Sequence, residues 1–154
     1  MPDTLENLTR EEQEENRRIY EEYEKDVRTL EGNLFRTMAT LAPKFGITEN
    51  RCYSSMPDDV FVTPENTGAS SGPMCISVSQ NLIYDAQILG HEVSHNLHHL
   101  VCPCEVSWAE TTFGETLREA VANYGGFVNC VENGLPIPSE KWTRGRGFCQ
   151  DLPH

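Results

Sequence analysis

At 154 residues with 38% hydrophobic side chains, the chain is long enough to bury one core, and a single domain spanning 1–154 is expected. Its 24 acidic residues against 12 basic ones give a formal net charge of -12, which repels nucleic-acid phosphates and anionic membrane surfaces, so neither is an expected partner. No apolar run approaches the roughly 20 residues of a membrane-spanning helix. The polar opening MPDTLENLTREE lacks the basic start and apolar stretch of a secretory signal, so a cytoplasmic location is expected.

Only Lys25, Lys44 and Lys141 are lysines. An acidic, lysine-poor surface fits either a high-salt organism or an ordinary acidic protein. Much of the charge lies in the first 31 residues, where eleven acids face five bases. That region reads as a long helix, the 1–43 N-terminal element. Thr9 followed by Glu12 is a capping box. Ile19, Tyr23, Val27, Leu30, Leu34, Met38 and Leu41 then recur at spacings of four and three, one apolar stripe expected to pack on the domain. A partner-binding coiled-coil strand is the other reading. Gly32 weakens the middle by about 1 kcal/mol relative to alanine and marks a candidate bend or break. Pro43 is expected to end the helix.

Residues 44–74 are rich in Pro and Gly and read as loop, with a short strand at Asp59–Thr63. Met74–Gln80 alternates apolar and polar side chains and reads as a second strand. Asn81 or Asp85 can cap the next helix, which runs from Ala86 to about Leu100. Ile88, Leu89, Val93, Leu97 and Leu100 are expected to face inward, and Pro103 to stop it. A third helix is expected from Thr111 or Thr112 to Val131. Its interior is read as Phe113, Leu117, Ala120, Val121, Tyr124, Phe127 and Val128, with Gly125-Gly126 permitting a close helix contact or a kink. The tail from Lys141 is expected to be irregular and folded back by Trp142 and Phe148. The resulting fold class is α+β, mainly helical: a long N-terminal helix, a small sheet, and a motif-bearing helix packed on a Glu-bearing helix.

The second helix carries the informative motif, His91-Glu92-Val93-Ser94-His95. Histidines four apart share one helix face, so their ring nitrogens can converge on one Zn²⁺ at about 2.0–2.1 Å each. Glu92 beside them is placed to take a proton from a water at the metal and serve as general base. A catalytic zinc site takes three protein ligands and keeps one position open. His98 and His99 do not complete the set, because His99 lies about 12 Å further along the helix axis. The metzincin family makes such a break with glycine three residues after the second histidine and a third histidine three further on, where this chain has His98 and Val101, so it does not resemble that pattern. Glu115 and Glu119, four apart on the third helix, are the two candidates for the third ligand; Glu110 is read as a helix N-terminal acid.

The segment Arg118-Glu119-Ala120-Val121-Ala122-Asn123-Tyr124 resembles the Glu-x-x-Ala-x-Tyr stretch of gluzincin metallopeptidases. The resemblance covers about residues 74–128 and is nearest to the compact minigluzincin type. It implies zinc held by His91, His95 and Glu119, with Ala120 and Ala122 allowing close helix approach. It places Asn123 where gluzincins often carry an acid that orients a ligating histidine. It implies that the strand before the motif helix is a sheet edge to which an extended peptide or protein substrate adds. The activity implied is zinc-dependent peptide-bond hydrolysis, with Tyr124, His98 and Arg118 as candidate oxyanion donors. Glu115 as ligand, with Glu119 as the orienting acid, stays open.

Two rival readings remain. One is a silent or self-inhibited peptidase-like protein whose acidic N-terminal helix covers the cleft. The other is a cysteine-stabilised interaction module with a chance HExxH. The six cysteines, at 52, 75, 102, 104, 130 and 149, read as reduced thiols in a cytosol. Cys102, Cys104, Cys130 and Cys149 are a conceivable second metal site. Substrate identity and oligomeric state are not legible.

Overall fold

The computed structural model describes residues 8–48, 56–72, 75–102 and 112–136. Thr9 starts helix α1 (Arg10–Leu41) with the full capping box: its hydroxyl accepts from the Glu12 backbone N–H, and Glu12 accepts from Thr9 N–H. Gly32 does not break the helix, which runs unbroken for 32 residues. Proline then acts as expected. Pro43 sits in a 3₁₀ turn, Ala42–Phe45, which Gly46 closes in a left-handed conformation (φ 75°).

The expectation that the whole apolar stripe of α1 packs on the domain is half met. Leu30, Leu34, Met38 and Leu41 are buried, whereas Ile19, Tyr20 and Tyr23 are 53%, 61% and 41% exposed. The first half of α1 therefore extends beyond the layer that its second half covers.

Among the described residues the sheet has three strands, β1 (Asp59–Thr63), β2 (Ala69–Ser71) and β3 (Cys75–Ser79), in the order β1-β3-β2. β1 pairs with β3 in parallel and β2 pairs with it antiparallel. The expected strand at 74–80 is present over 75–79; Met74 lies outside the described residues. Its expected place at an edge is corrected: β3 is central, and the edges are β1 and β2. The reason is β2, a three-residue strand of Ala-Ser-Ser with no apolar alternation to announce it. Buried Ser79 anchors the turn before β2, its hydroxyl accepting from Gly68 N–H and donating to Gly68 C=O.

Asp85 caps α2 (Ala86–Val101), accepting from the N–H groups of Gln87 and Ile88. Leu89, Val93 and Leu97 join Ile76 and Val78 of β3 and the buried leucines of α1 in one core, where each fully buried aliphatic side chain contributes roughly 1.5–3 kcal/mol. Leu100 was expected inside and is instead 37% exposed, because the last turn of α2 runs past that core. Pro103, read as the stop, lies outside the described residues.

Helix α3 (Thr112–Glu132) is continuous, but its buried face is not the expected one. Phe113, Leu117, Tyr124 and Phe127 are exposed, and Ala120, Val121 and Val128 are half-buried. Gly114, Ala122, Gly125, Gly126, Asn129 and Cys130 are buried instead. Close backbone approach to α2 selects the small residues over the large apolar ones. Asn129, only 2% exposed, ties three helices together: its side-chain amide donates to Ala86 C=O at the start of α2 (2.8 Å) and to Thr37 Oγ1 of α1 (3.3 Å). The fold class is α+β and mainly helical, as expected.

Candidate metal centre

The centre lies where α2 crosses α3. A Cβ built on Gly90 would stand 2.8 Å from Asn129 Cβ, Gly125 O and Gly126 Cα. One built on Gly126 would stand 2.6 Å from Gln87 O, and one on Gly125 would run into the Ser94 hydroxyl. These contacts are too close for any side-chain carbon, so only glycine fits at the crossing. Ser94 turns its hydroxyl back to Gly90 C=O (2.7 Å) and is itself buried. The close crossing brings the His91–His95 face of α2 against the Glu119–Asn123 face of α3.

There the three donors meet. Glu119 Oε2 lies 3.3 Å from His91 Nε2, and Glu119 Oε1 lies 3.2 Å from His95 Nε2. The two imidazole Nε2 atoms are 3.2 Å apart, with their rings nearly perpendicular (82°). An edge of a tetrahedron is about 1.6 times its centre-to-corner distance, so zinc bonds of roughly 2.0–2.1 Å require donors about 3.3 Å apart. The imidazole pair matches that edge; the two contacts to Glu119 run to different carboxylate oxygens, and one donor atom from each of the three residues lies within 4.8 Å of the others. His91, His95 and Glu119 can hold a metal ion, and among the described residues they are the group that can. Glu119, not Glu115, is the carboxylate brought to the histidine pair; Glu115 is exposed one turn earlier.

Asn123 supports the first histidine. Its Oδ1 lies 2.9 Å from His91 Nδ1. A carbonyl oxygen only accepts, so His91 Nδ1 carries the proton and the lone pair of neutral His91 is on Nε2, facing Glu119 and His95. Burial alone would lower the His91 pKa. The hydrogen bond to Glu119, the charges of Glu92 and Glu119 and the bond to Asn123 outweigh it, so the pKa is raised. Glu119 is held well below the usual carboxylate range by hydrogen bonds from His91 and His95, against the opposing effect of its partial burial. Glu119 is thus the shared partner of both imidazoles.

Glu92 is buried, with its Oε1 4.0 Å from His91 Nε2, beside the donors without belonging to them. His98 is half-buried and His99 exposed. The helix carries no break between His95 and Val101, so neither histidine joins the donor group. Arg118 and Tyr124 lie on the exposed side of α3, Tyr124 at 68% exposure. Cys75, Cys102 and Cys130 are thiols. Cys52, Cys104, Cys149 and Glu110 lie outside the described residues, as do Trp142 and Phe148.

Sequence reasoning missed Gly90, Ser94 and Asn129. Gly90 carried a signal: a glycine inside a helix costs about 1 kcal/mol against alanine, and one placed next to a ligand motif marks close backbone approach. Asn129 carried none, since a polar residue among apolar ones reads equally well as exposed.

Comparison with models of known families, with curated proteins and with solved structures finds no match for this chain. The site is therefore read from its own geometry. Among the described residues no helix is long and apolar enough to cross a membrane.

Proposed function

We propose that this protein is a zinc-dependent peptidase of gluzincin type that hydrolyses peptide bonds with Glu92 as general base. One observation carries the reading. Two imidazole nitrogens and the Glu119 carboxylate converge, one donor atom from each lying within 4.8 Å of the others, with the Glu92 carboxylate oxygen 4.0 Å from one of those nitrogens. The donor set, two nitrogens and one carboxylate, suits zinc in a catalytic site with a position left for solvent.

A zinc ion held there supplies Lewis acidity, bringing the pKa of a water toward neutrality and drawing charge from a carbonyl oxygen. Glu92 takes the proton of the attacking water and passes it to the leaving amine nitrogen, so one carboxylate acts as base and then as acid. Its near-complete burial keeps bulk water from competing for that proton. Asn123 fixes the tautomer and ring orientation of His91. An extended substrate backbone would pair along β2, the sheet edge that packs against α2. β3, now central, is excluded from that role.

The test is metal stoichiometry combined with cleavage of an unfolded casein-like substrate. His91→Ala is expected to abolish zinc uptake. Glu92→Gln is expected to keep one zinc per chain and lose cleavage, since the amide cannot accept a proton. Chelator should stop the native protein and zinc should restore it. Full cleavage by Glu92→Gln removes Glu92 as the base. Zinc uptake without any cleavage returns the protein to the peptidase-like metal-binding class.

A further inference from the structure

The apolar stripe of α1 outruns the domain that covers it. Buried positions begin at Leu30, while Ile19, Tyr20 and Tyr23 about two to three turns earlier are exposed and Val27 is half-buried. Residues 10–23 are all exposed, so this half of the helix has no cover among the described residues. Exposed apolar side chains alone identify no occupant. The surrounding charges do.

At about 100° per residue, Ile19, Tyr23, Val27 and Tyr20 fall within one arc of the helix. Glu11, Glu15, Glu22 and Asp26 line one border of that arc, and Glu24 and Glu31 line the other. Arg10, Lys25 and Arg28 fall on the far side with Glu14 and Glu21, while Arg17 stands just beyond Glu24 and is ion-paired with Glu14. Arg18 lies between, bonded to Glu15 (2.7 Å). Glu24 lies beside Tyr20 and raises the pKa of its hydroxyl. Asp26 is bonded by Gln80 Nε2 (3.0 Å), which marks where the free strip meets the domain. A second copy of this chain would set acid against acid along both borders, and an anionic membrane surface would be repelled in the same way.

We propose that the projecting half of α1 is a docking surface for a basic amphipathic helix of another protein. The partner lays leucine-like side chains on Ile19, Tyr20 and Tyr23 and sets lysine or arginine against Glu15, Glu22 and Glu24. The mode is a two-helix contact with apolar anchors and charged flanks, in which the flanks choose the partner. The surface is separate from the metal centre and does not depend on how that centre is read.

The probe is a synthetic amphipathic peptide of leucine and lysine, about five turns long, titrated into the full chain. A leucine–glutamate peptide of the same pattern is the control. The lysine peptide is expected to bind one to one and the glutamate peptide not to bind. Ile19→Ser with Tyr23→Ser should weaken binding at least tenfold. Glu15→Gln with Glu22→Gln and Glu24→Gln should weaken it about tenfold. That change should also flatten its salt dependence between about 0.1 M and 1 M, where the screening length falls from about 10 Å to about 3 Å. Circular dichroism unchanged from the native chain certifies each variant, and the charge variant decides alone if the apolar one misfolds. Three results overturn the proposal: no binding of the lysine peptide, equal binding of both peptides, or native affinity in the variants. Sedimentation showing a dimer that Ile19→Ser with Tyr23→Ser dissolves would assign the strip to a second copy and overturn it as well.

Discussion

Replacing Gly90 by alanine tests whether the α2–α3 crossing governs the metal centre. The added methyl meets three atoms of α3 at 2.8 Å, two of them backbone, so none can swing away as a side-chain tip could. Reaching ordinary contact at 3.4 Å requires the helices to part by about 0.6 Å. Overpacking of this kind costs about 1–3 kcal/mol, and the helix-propensity gain of alanine over glycine returns about 1 kcal/mol. The expected net loss is about 0–2 kcal/mol, which in a chain of this length lowers the melting temperature by up to roughly 8 °C. The same parting carries Glu119 away from the imidazoles it now meets at 3.2–3.3 Å. Zinc affinity is expected to fall about tenfold, equivalent to about 1.4 kcal/mol. Gly32→Ala is the matched control, because nothing lies within 4 Å of its added methyl. There the propensity gain acts alone and the protein should be stabilised by about 0.5–1 kcal/mol. Thermal unfolding and competitive zinc titration of both variants give the answer. If Gly90→Ala melts no lower than the native chain and holds zinc as tightly, the crossing does not set the donor spacing.

Further outcomes follow from the same geometry. Asn123→Ala should lower zinc affinity about 10–100-fold by releasing His91, whereas Asn123→Asp should tighten it; equal affinities in all three proteins would deny Asn123 an orienting role. Asn129→Ala leaves Ala86 C=O and Thr37 without their shared donor and should cost about 1–3 kcal/mol, read as a shift in the denaturant midpoint with an unchanged slope. The pH dependence has a definite sign. The raised His91 pKa means that the metal-free cluster stabilises the fold below the ordinary histidine value of 6.5 and loses that contribution as pH rises through the folded value. The lowered Glu119 pKa means that its contribution is present above 4.5 and is lost as pH falls through its folded value. Zinc competes with the His91 proton, so the thermal stabilisation it confers should grow from pH 6 to pH 8 with proton release. A zinc-induced shift that is flat across this range would contradict the assignment of His91 as a ligand.

Much of the centre was legible in the sequence because helix spacing is nearly rigid. His91 and His95 had to share a face, and Asn123 stood one turn from Glu119, so selecting Glu119 selected Asn123 as well. The caps at Thr9 and Asp85 were equally local. Choices made by packing between elements were not legible. The large apolar residues of α3 repeat with helical period, and periodicity alone assigned them to the interior. The glycine face won because it lets two backbones touch, a gain that belongs to the pair of helices and not to either pattern. β3 was visible by its alternation, but its central place depends on β2, too short and too polar to be seen. The stripe of α1 runs unbroken in the sequence, so nothing in it marked where the supporting layer stops.

That last feature divides one helix into two stability regimes. Amide hydrogens from Leu30 onward sit over the core and can exchange only when much of the domain opens, whereas those before about Lys25 are shielded by helical hydrogen bonds alone. Exchange rates should step by orders of magnitude within about two turns, and trypsin should clip at Arg17, Arg18 and Lys25 while the remainder stays folded. The helix can thus fray and re-form at its far end without disturbing the residues that hold the domain together.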